Sequence, residues 1–209
     1  MKLISSSFID GQRIPGDFAF CIPDPEHHVC LGRNLNPHLA WSDAPAATQS
    51  FALICHDPDV PSKGDDVNQE GRTVPASLAR VDFFHWVLFD LPASCSEITA
   101  GEFSDDVTPR GKPGPHAAHD ARQGVNDYTN WFADDNDMRG DYYGYDGPCP
   151  PWNDEVVHRY VFTLFALAVD RLNSEGRLTG QQVRAALQGH VLAEACLTGT
   201  YTLNTALYP

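Results

Sequence analysis

Gly144-Tyr145-Asp146-Gly147-Pro148-Cys149-Pro150-Pro151, followed by His158-Arg159-Tyr160-Val161-Phe162-Thr163-Leu164-Phe165-Ala166-Leu167-Ala168, is the stretch on which the fold turns. The first segment cannot supply a full ladder of backbone donors, because prolines interrupt it. The second is the longest β-rich run in the chain, and it has the length and composition of a strand. Upstream, Phe51-Ala52-Leu53-Ile54-Cys55-His56 is a short apolar run ended by Asp57-Pro58. Phe83 to Asp90 (FFHWVLFD) is almost continuously apolar and suits a strand buried on both faces, stopped by Leu91-Pro92. Between these runs lie turn-rich polar stretches at 62–80 and 101–142, which read as long surface loops. Near the carboxyl end Thr179 can cap a helix whose apolar positions are Val183, Ala186, Leu187, His190 and Val191. Thr198 to Leu203 returns to strand character. The dominant period of two predicts a mainly β protein, an antiparallel sandwich or barrel with long loops and one late helix.

The chain has 209 residues, 28 acidic against 14 basic, and a formal net charge of -14. That length predicts a single domain over 1–209. The acidity argues against a nucleic-acid partner, whose phosphates demand a basic face. No apolar run approaches the ~18 residues of a membrane span. Twelve of the 28 acidic residues lie in 101–155, largely in the predicted loops. The amino terminus lacks the apolar core of a secretory signal, so a cytoplasmic location is expected. Six cysteines (Cys21, Cys30, Cys55, Cys95, Cys149 and Cys196) form no C-x-x-C pair. Free thiols are therefore expected rather than a disulfide framework, with Cys149 structural or lining a pocket. His27-His28, His116/His119 and Asp134-Asp135-Asn136-Asp137 complete no recognisable ligand set, so no metal or cofactor is expected.

Alternation along strands sorts the remaining polar residues. His158 and Tyr160 share one face, with Arg159 and Val161 on the other. His85 is expected to share a face with Val87 and Phe89, opposite Trp86. Asp57 falls at a strand end. Each has a plainer explanation when taken alone: a hydrogen-bonded core histidine for His85, a turn-forming side chain for Asp57 and Asp59. Together they are polar groups that a rigid sheet would present at a pocket mouth. No G-x-S-x-G, P-loop or G-x-G-x-x-G is present, and no nucleophile has an assigned base.

In order along the chain, these segments resemble the phosphatidylethanolamine-binding protein family, in its bacterial Raf-kinase-inhibitor-like branch. The matching blocks are Met1 to Ser6, Asn34 to Trp41, Asp57-Pro58-Asp59-Val60-Pro61, His85-Trp86-Val87 with Leu91-Pro92, Gly144 to Pro151, and His158 to Phe162. The stretch 62–84 and the acidic region 101–142 look expanded relative to bacterial members. The resemblance implies an antiparallel β-sandwich with a carboxyl-terminal helix near a small anion pocket. It implies that Asp57 and His85 line the pocket floor, with Pro61 beside them after a cis peptide bond. Gly147, Pro148, Pro150 and Pro151 would form one wall, and His158 and Tyr160 would supply polar groups from the long strand. The implied ligand bears a phosphate or carboxylate, such as a phosphorylated headgroup, and the implied role is non-catalytic. A kinase or protease partner and a homodimer follow by the same analogy. In such a pocket two histidines and a tyrosine would donate to the anion, and binding would weaken as pH rises through the histidine range. Two other readings compete. His85 and Asp57 could be the general acid–base pair of a small hydrolase, or the acidic loops could be the working surface of an interaction protein.

Overall fold

The three apolar runs become the three central strands of one sheet. In the computed structural model, which describes residues 1–207, they are β5 (Ser50–Pro61), β6 (Arg80–Pro92) and β9 (His158–Leu167). The strands before them are β1 (Lys2–Ile4), β2 (Cys21–Asp24), β3 (His28–Leu31) and β4 (Leu39–Ser42). Between and after them come β7 (Glu97–Ile98), β8 (Arg122–Gln123), α1 (Tyr128–Trp131), α2 (Gly180–Ala186) and β10 (Val191–Tyr201). One sheet runs β10-β9-β5-β6-β8, a second β1-β4-β7, and β2 and β3 form a hairpin. Every pairing between these strands is antiparallel. The protein is mainly β, with few helical residues.

The two larger sheets share a core. Leu3, Leu39 and Trp41 belong to the same buried cluster as Phe51, Leu53, Leu88, Leu91 and Phe162. Trp41 meets Phe51 edge-on, with centroids 5.4 Å apart. Each such aromatic or leucine is worth roughly 1.5–3 kcal/mol when fully buried. The opposite face of the five-stranded sheet carries Ala52, Ile54, Phe84, Val87, Phe89 and Leu167, covered by Leu172, Val183 and Leu187.

Three features of the sequence reading are corrected. First, the late helix begins where Thr179 predicts, in a full capping box with Gln182. It ends by Leu187, and Gly189, at φ +82°, breaks the period. His190 and Val191 therefore leave the helix, and the strand β10 follows it. Second, β5 continues through Asp57-Pro58 to Pro61. Its partner β9 pairs only as far as His56, so beyond that point β5 is an edge on one side and tolerates proline. Third, Cys55 pairs with Trp86 but His56 pairs with Phe84, which leaves His85 as the extra residue of a β-bulge. The bulge turns His85 to the same side as Trp86 and leaves Val87 and Phe89 on the helix-covered face, the reverse of the predicted sides.

Candidate functional site

Past the bulge, β5, β6 and β9 bring Asp57, His85, His158 and Tyr160 to one end of the shared core. His158 and Tyr160 share a face, as alternation requires, and both are fully buried. Asp57 organises the group. Its Oδ1 accepts from the Asp59 backbone N–H at 2.8 Å, and its Oδ2 accepts from His158 Nδ1 at 2.7 Å. Burial first, and then the nearby Asp57 carboxylate, push the pKa of the Tyr160 hydroxyl well above its ordinary value. On its other side His158 Nε2 donates to Asp154 Oδ2 at 3.1 Å, and Arg80 clamps Asp154 through two nitrogens at 2.5 and 2.9 Å. Burial works against the charge of His158, but the bonds to Asp154 and Asp57 outweigh it and hold its pKa at about 9. Asp154, pushed up by burial, is pulled below the usual carboxylate range by His158 and Arg80. His158 is therefore a cation fixed between two carboxylates, with neither ring nitrogen left for a ligand. Beside it, Asp59 pairs with Arg159 through Arg159 Nε and Nη2 at 2.9 and 2.8 Å.

His85 is held differently. Its Nδ1 donates to the Asp146 carbonyl at 2.7 Å, and the Asp146 N–H returns a bond to the His85 carbonyl. Burial lowers its pKa to about 4, outweighing the opposing pull of Asp57. At neutral pH it is an uncharged imidazole whose proton sits on Nδ1 and whose Nε2 carries a lone pair. Asp146 is itself fully buried, and its carboxylate accepts from Asn34, Asn126 and Lys112 at 2.8, 2.7 and 2.8 Å. This network fixes the segment that orients the ring.

Above these groups opens a cavity of about 500 Å³. Its floor is Asp57, His85, Tyr160 and the edge of His158. Its sides are mostly apolar, with Phe20 and Leu31 from the β2–β3 hairpin region, Phe83, Tyr128 and Trp131, then Phe132 and Met138, while Ser62, Lys63 and Asn68 line it from the segment after β5. Pro61, Pro150 and Pro151 line it as the resemblance implied. Pro61 follows a trans bond, and among the described residues the cis peptide bond precedes Pro115 instead.

Gly147 and Pro148 stand behind the wall rather than in it. The Gly147 carbonyl accepts from the Tyr128 hydroxyl, and a Cβ at Gly147 would lie 2.2 Å from the Phe18 carbonyl oxygen. The Pro148 carbonyl accepts from the backbone N–H groups of Phe20 and Cys21. That approach puts the Cys21 and Cys149 Cα atoms 4.8 Å apart, and the two form a disulfide that borders the cavity. The expectation of free thiols is thus overturned for this pair. Two residues 128 apart in sequence gave no local signal of it.

The helix α2 lines none of the cavity, because it packs on the opposite face of the sheet. Nor do Asp57 and His85 form an acid–base pair: Asp57 is bound to His158, and His85 to the Asp146 carbonyl. Asp154, Arg80 and Asp146 are the site residues that sequence reading missed. Asp146 lay within the quoted block, and its burial is the reason that block has so little freedom. The acidic count of 101–155 divides accordingly. Asp134, Asp135 and Asp137 are exposed on the loop after α1, while Asp146 and Asp154 are buried under the site. His28 stacks on Trp152 and bonds Glu70, and His119 bonds Glu102. Among the described residues no three His, Cys, Asp or Glu side chains gather around a metal position, and no helix is long and apolar enough to cross a membrane.

Known proteins share this architecture from end to end. The chain is 31% identical over 202 residues to the UPF0098 protein YbhB of Escherichia coli, covering 97% of this chain and 100% of that one. It is 32% identical over 201 residues to a UPF0098 protein of Methanothermobacter thermautotrophicus, covering 96% and 98%. The crystal structure of the putative phosphatidylethanolamine-binding protein homolog CT736 of Chlamydia trachomatis superposes with a TM-score of 0.63 at 28% identity, over 96% of this chain and 95% of that one. The fold is also that of E. coli YbcL, with a TM-score of 0.67 at 23% identity over 96% and 97% of the chains. Residues 4–202, which hold every side chain of the site just described, match the model of the phosphatidylethanolamine-binding protein family, and the chain belongs to that family.

Proposed function

We propose that this protein is a non-catalytic binding protein whose cavity takes a small ligand headed by a phosphate or carboxylate and bodied by an apolar group. The observation that carries this reading is the division of the cavity. Fixed polar groups lie at the floor, aromatic side chains on the walls, and about 500 Å³ between them, a volume in the range of small-molecule sites. A binding role rather than hydrolysis is favoured by His158, whose two nitrogens are both committed to carboxylates. The Asp57–His85 pair of the competing hydrolase reading also has no direct hydrogen bond, since Asp57 is bound to His158 and His85 to the Asp146 carbonyl. The Cys21–Cys149 disulfide favours an oxidising compartment over the cytoplasmic location first expected.

The floor changes how an anion would be received. The groups facing His85 are Asp57 and His56 from β5, His158 and Tyr160 from β9, Tyr128 from α1, and the Asp146 carbonyl. With His85 neutral above pH about 4, an anionic head carries its own proton or brings one onto Nε2. Binding is therefore coupled to uptake of one proton, and affinity falls as pH rises. For a phosphate monoester, with its second pKa near ~6, the fall approaches about tenfold per pH unit above that value. Titration calorimetry of phenyl phosphate at pH 5 and pH 8, with wild type and His85→Ala, tests this. Binding at pH 5 that weakens at pH 8 and is lost in the variant supports the reading. Affinities equal in both proteins contradict it.

A further inference from the structure

The carboxylates that this fold buries are each given a cation. Asp57 pairs with His158, Asp59 with Arg159, Asp90 with Arg122, Asp146 with Lys112 and Asp154 with Arg80, and these are the buried aspartates among the described residues. A charge taken out of water without such a partner is costly. Asp127, just before α1, breaks the pattern. It is half-buried, its Oδ2 accepts from the Phe84 N–H at 2.8 Å, and its own N–H donates to the Phe84 carbonyl at 2.9 Å. Those two bonds pin it to β6, yet no Lys, Arg or His among the described residues pairs with it. The charged side chain that does act on it is another carboxylate, Asp82, whose own cation is Arg184 at 2.7 Å. Burial and Asp82 together outweigh the Phe84 N–H and push the Asp127 pKa up.

Asp127 lines a second pocket of about 430 Å³, together with Phe83 and Phe84 of β6, Asn130 and Trp131 of α1, and Thr179 at the start of α2. Phe83 and Trp131 also line the larger cavity, so the two spaces share a wall. We propose that this second pocket binds an organic ammonium group, with the cation on Asp127 and its alkyl part against Phe83 and Trp131. A carboxylate among aromatic side chains is the setting in which proteins hold such cations. The chain already places a cation on one of these rings, since the Arg184 guanidinium lies 4.6 Å from the centroid of Phe84. Oδ2 is committed to a backbone N–H, which suits a point charge on the other oxygen better than the two-pronged fork of a guanidinium. The space is larger than a bare metal ion needs, and no three His, Cys, Asp or Glu side chains of the described residues gather there. A free amine and a lysine side chain present the same head. The site is separate from the proposed anion site and does not depend on it, and the net charge of -14 draws a cation towards it.

NMR titration of the intact chain at pH 7 with butylammonium, 1-butanol and Nα-acetyl-lysine amide tests the proposal, read at the Phe84 backbone amide and the Trp131 indole N–H. The expected result is a saturable shift of both signals by butylammonium, at an affinity about tenfold or more above that of 1-butanol, which has the same length and no charge. Asp127→Asn keeps an oxygen for the Phe84 N–H and removes the charge, and should weaken butylammonium about tenfold or more. Asp134→Asn takes one charge from an exposed position on the loop after α1 and should leave the affinity unchanged. Acetyl-lysine amide bound as tightly as butylammonium or more tightly assigns the cation to a lysine side chain. Weaker binding of it assigns a free amine, and either supports the proposal. The wild-type ratio of amine to alcohol carries the test if Asp127→Asn folds poorly. Equal affinities for butylammonium and 1-butanol, no saturable shift at Phe84 and Trp131 with either ammonium compound, an Asp127→Asn protein that binds as wild type does, or equal losses in Asp127→Asn and Asp134→Asn overturn it.

Discussion

The floor and the side wall of the cavity are built on opposite principles. The floor hangs on three central strands and is over-determined by charge: Asp57, His158, Asp154 and Arg80 form one chain of ion-paired hydrogen bonds. The wall from the β2–β3 hairpin and the 147–151 segment has no such chain. It is joined by two backbone bonds to the Pro148 carbonyl and by one disulfide. Breaking the floor thus means stranding buried charge, whereas breaking the wall means releasing a cross-link. The first fixes which atoms a ligand's head meets, and the second sets the space left for its body.

Substitutions should separate the two in size and in kind. His158→Ala leaves the carboxylates of Asp57 and Asp154 buried without their shared cation and should cost about 3–5 kcal/mol in urea unfolding. A loss below ~1 kcal/mol would mean that the floor is not held by charge. Cys149→Ser opens the wall and should cost less, about 2–4 kcal/mol, with the ring environment of His85 unchanged in NMR spectra. A displaced His85 signal would show the two regions to be mechanically one.

A comparable effect, confined to the floor, is its pH dependence. The folded pKa of His158, about 9, lies above its unfolded value of 6.5. Its contribution is complete below pH ~6.5 and is lost as pH rises through about 9, amounting to order 3 kcal/mol. His85 has the opposite sign. Its folded pKa of about 4 is depressed, so stability is lost as pH falls from ~6.5 through about 4. Unfolding free energies measured from pH 4 to 10 should therefore pass through a maximum near neutrality. In Cys149→Ser the curve should shift down without changing shape.

The strands were legible because their apolar runs are long and their ends are marked by proline or turn residues. The side assigned to His85 was not, because a bulge depends on the register of two strands and leaves no trace in either one's period. Legible too were Asp57, His85, His158 and Tyr160 as a group. Their hydrogen-bond roles were not, since the sequence shows that a histidine is present but not which of its nitrogens is already spoken for. Asp154 escaped notice because its partners, Arg80 on β6 and His158 on β9, are set by how the segment after Pro151 folds back on the sheet. The Cys21–Cys149 bond escaped because it follows from two backbone contacts across the whole chain.

The central claim is that one histidine of the floor is a fixed cation and the other a neutral acceptor. Nitrogen-detected NMR of the two imidazoles across pH 3–10 tests it directly. The account predicts that at pH 7 His158 is protonated at both nitrogens and loses its charge only near pH 9. It predicts that His85 is neutral with its proton on Nδ1 and gains charge only near pH 4. A His85 that titrates near 6.5, or that carries its neutral proton on Nε2, would contradict it.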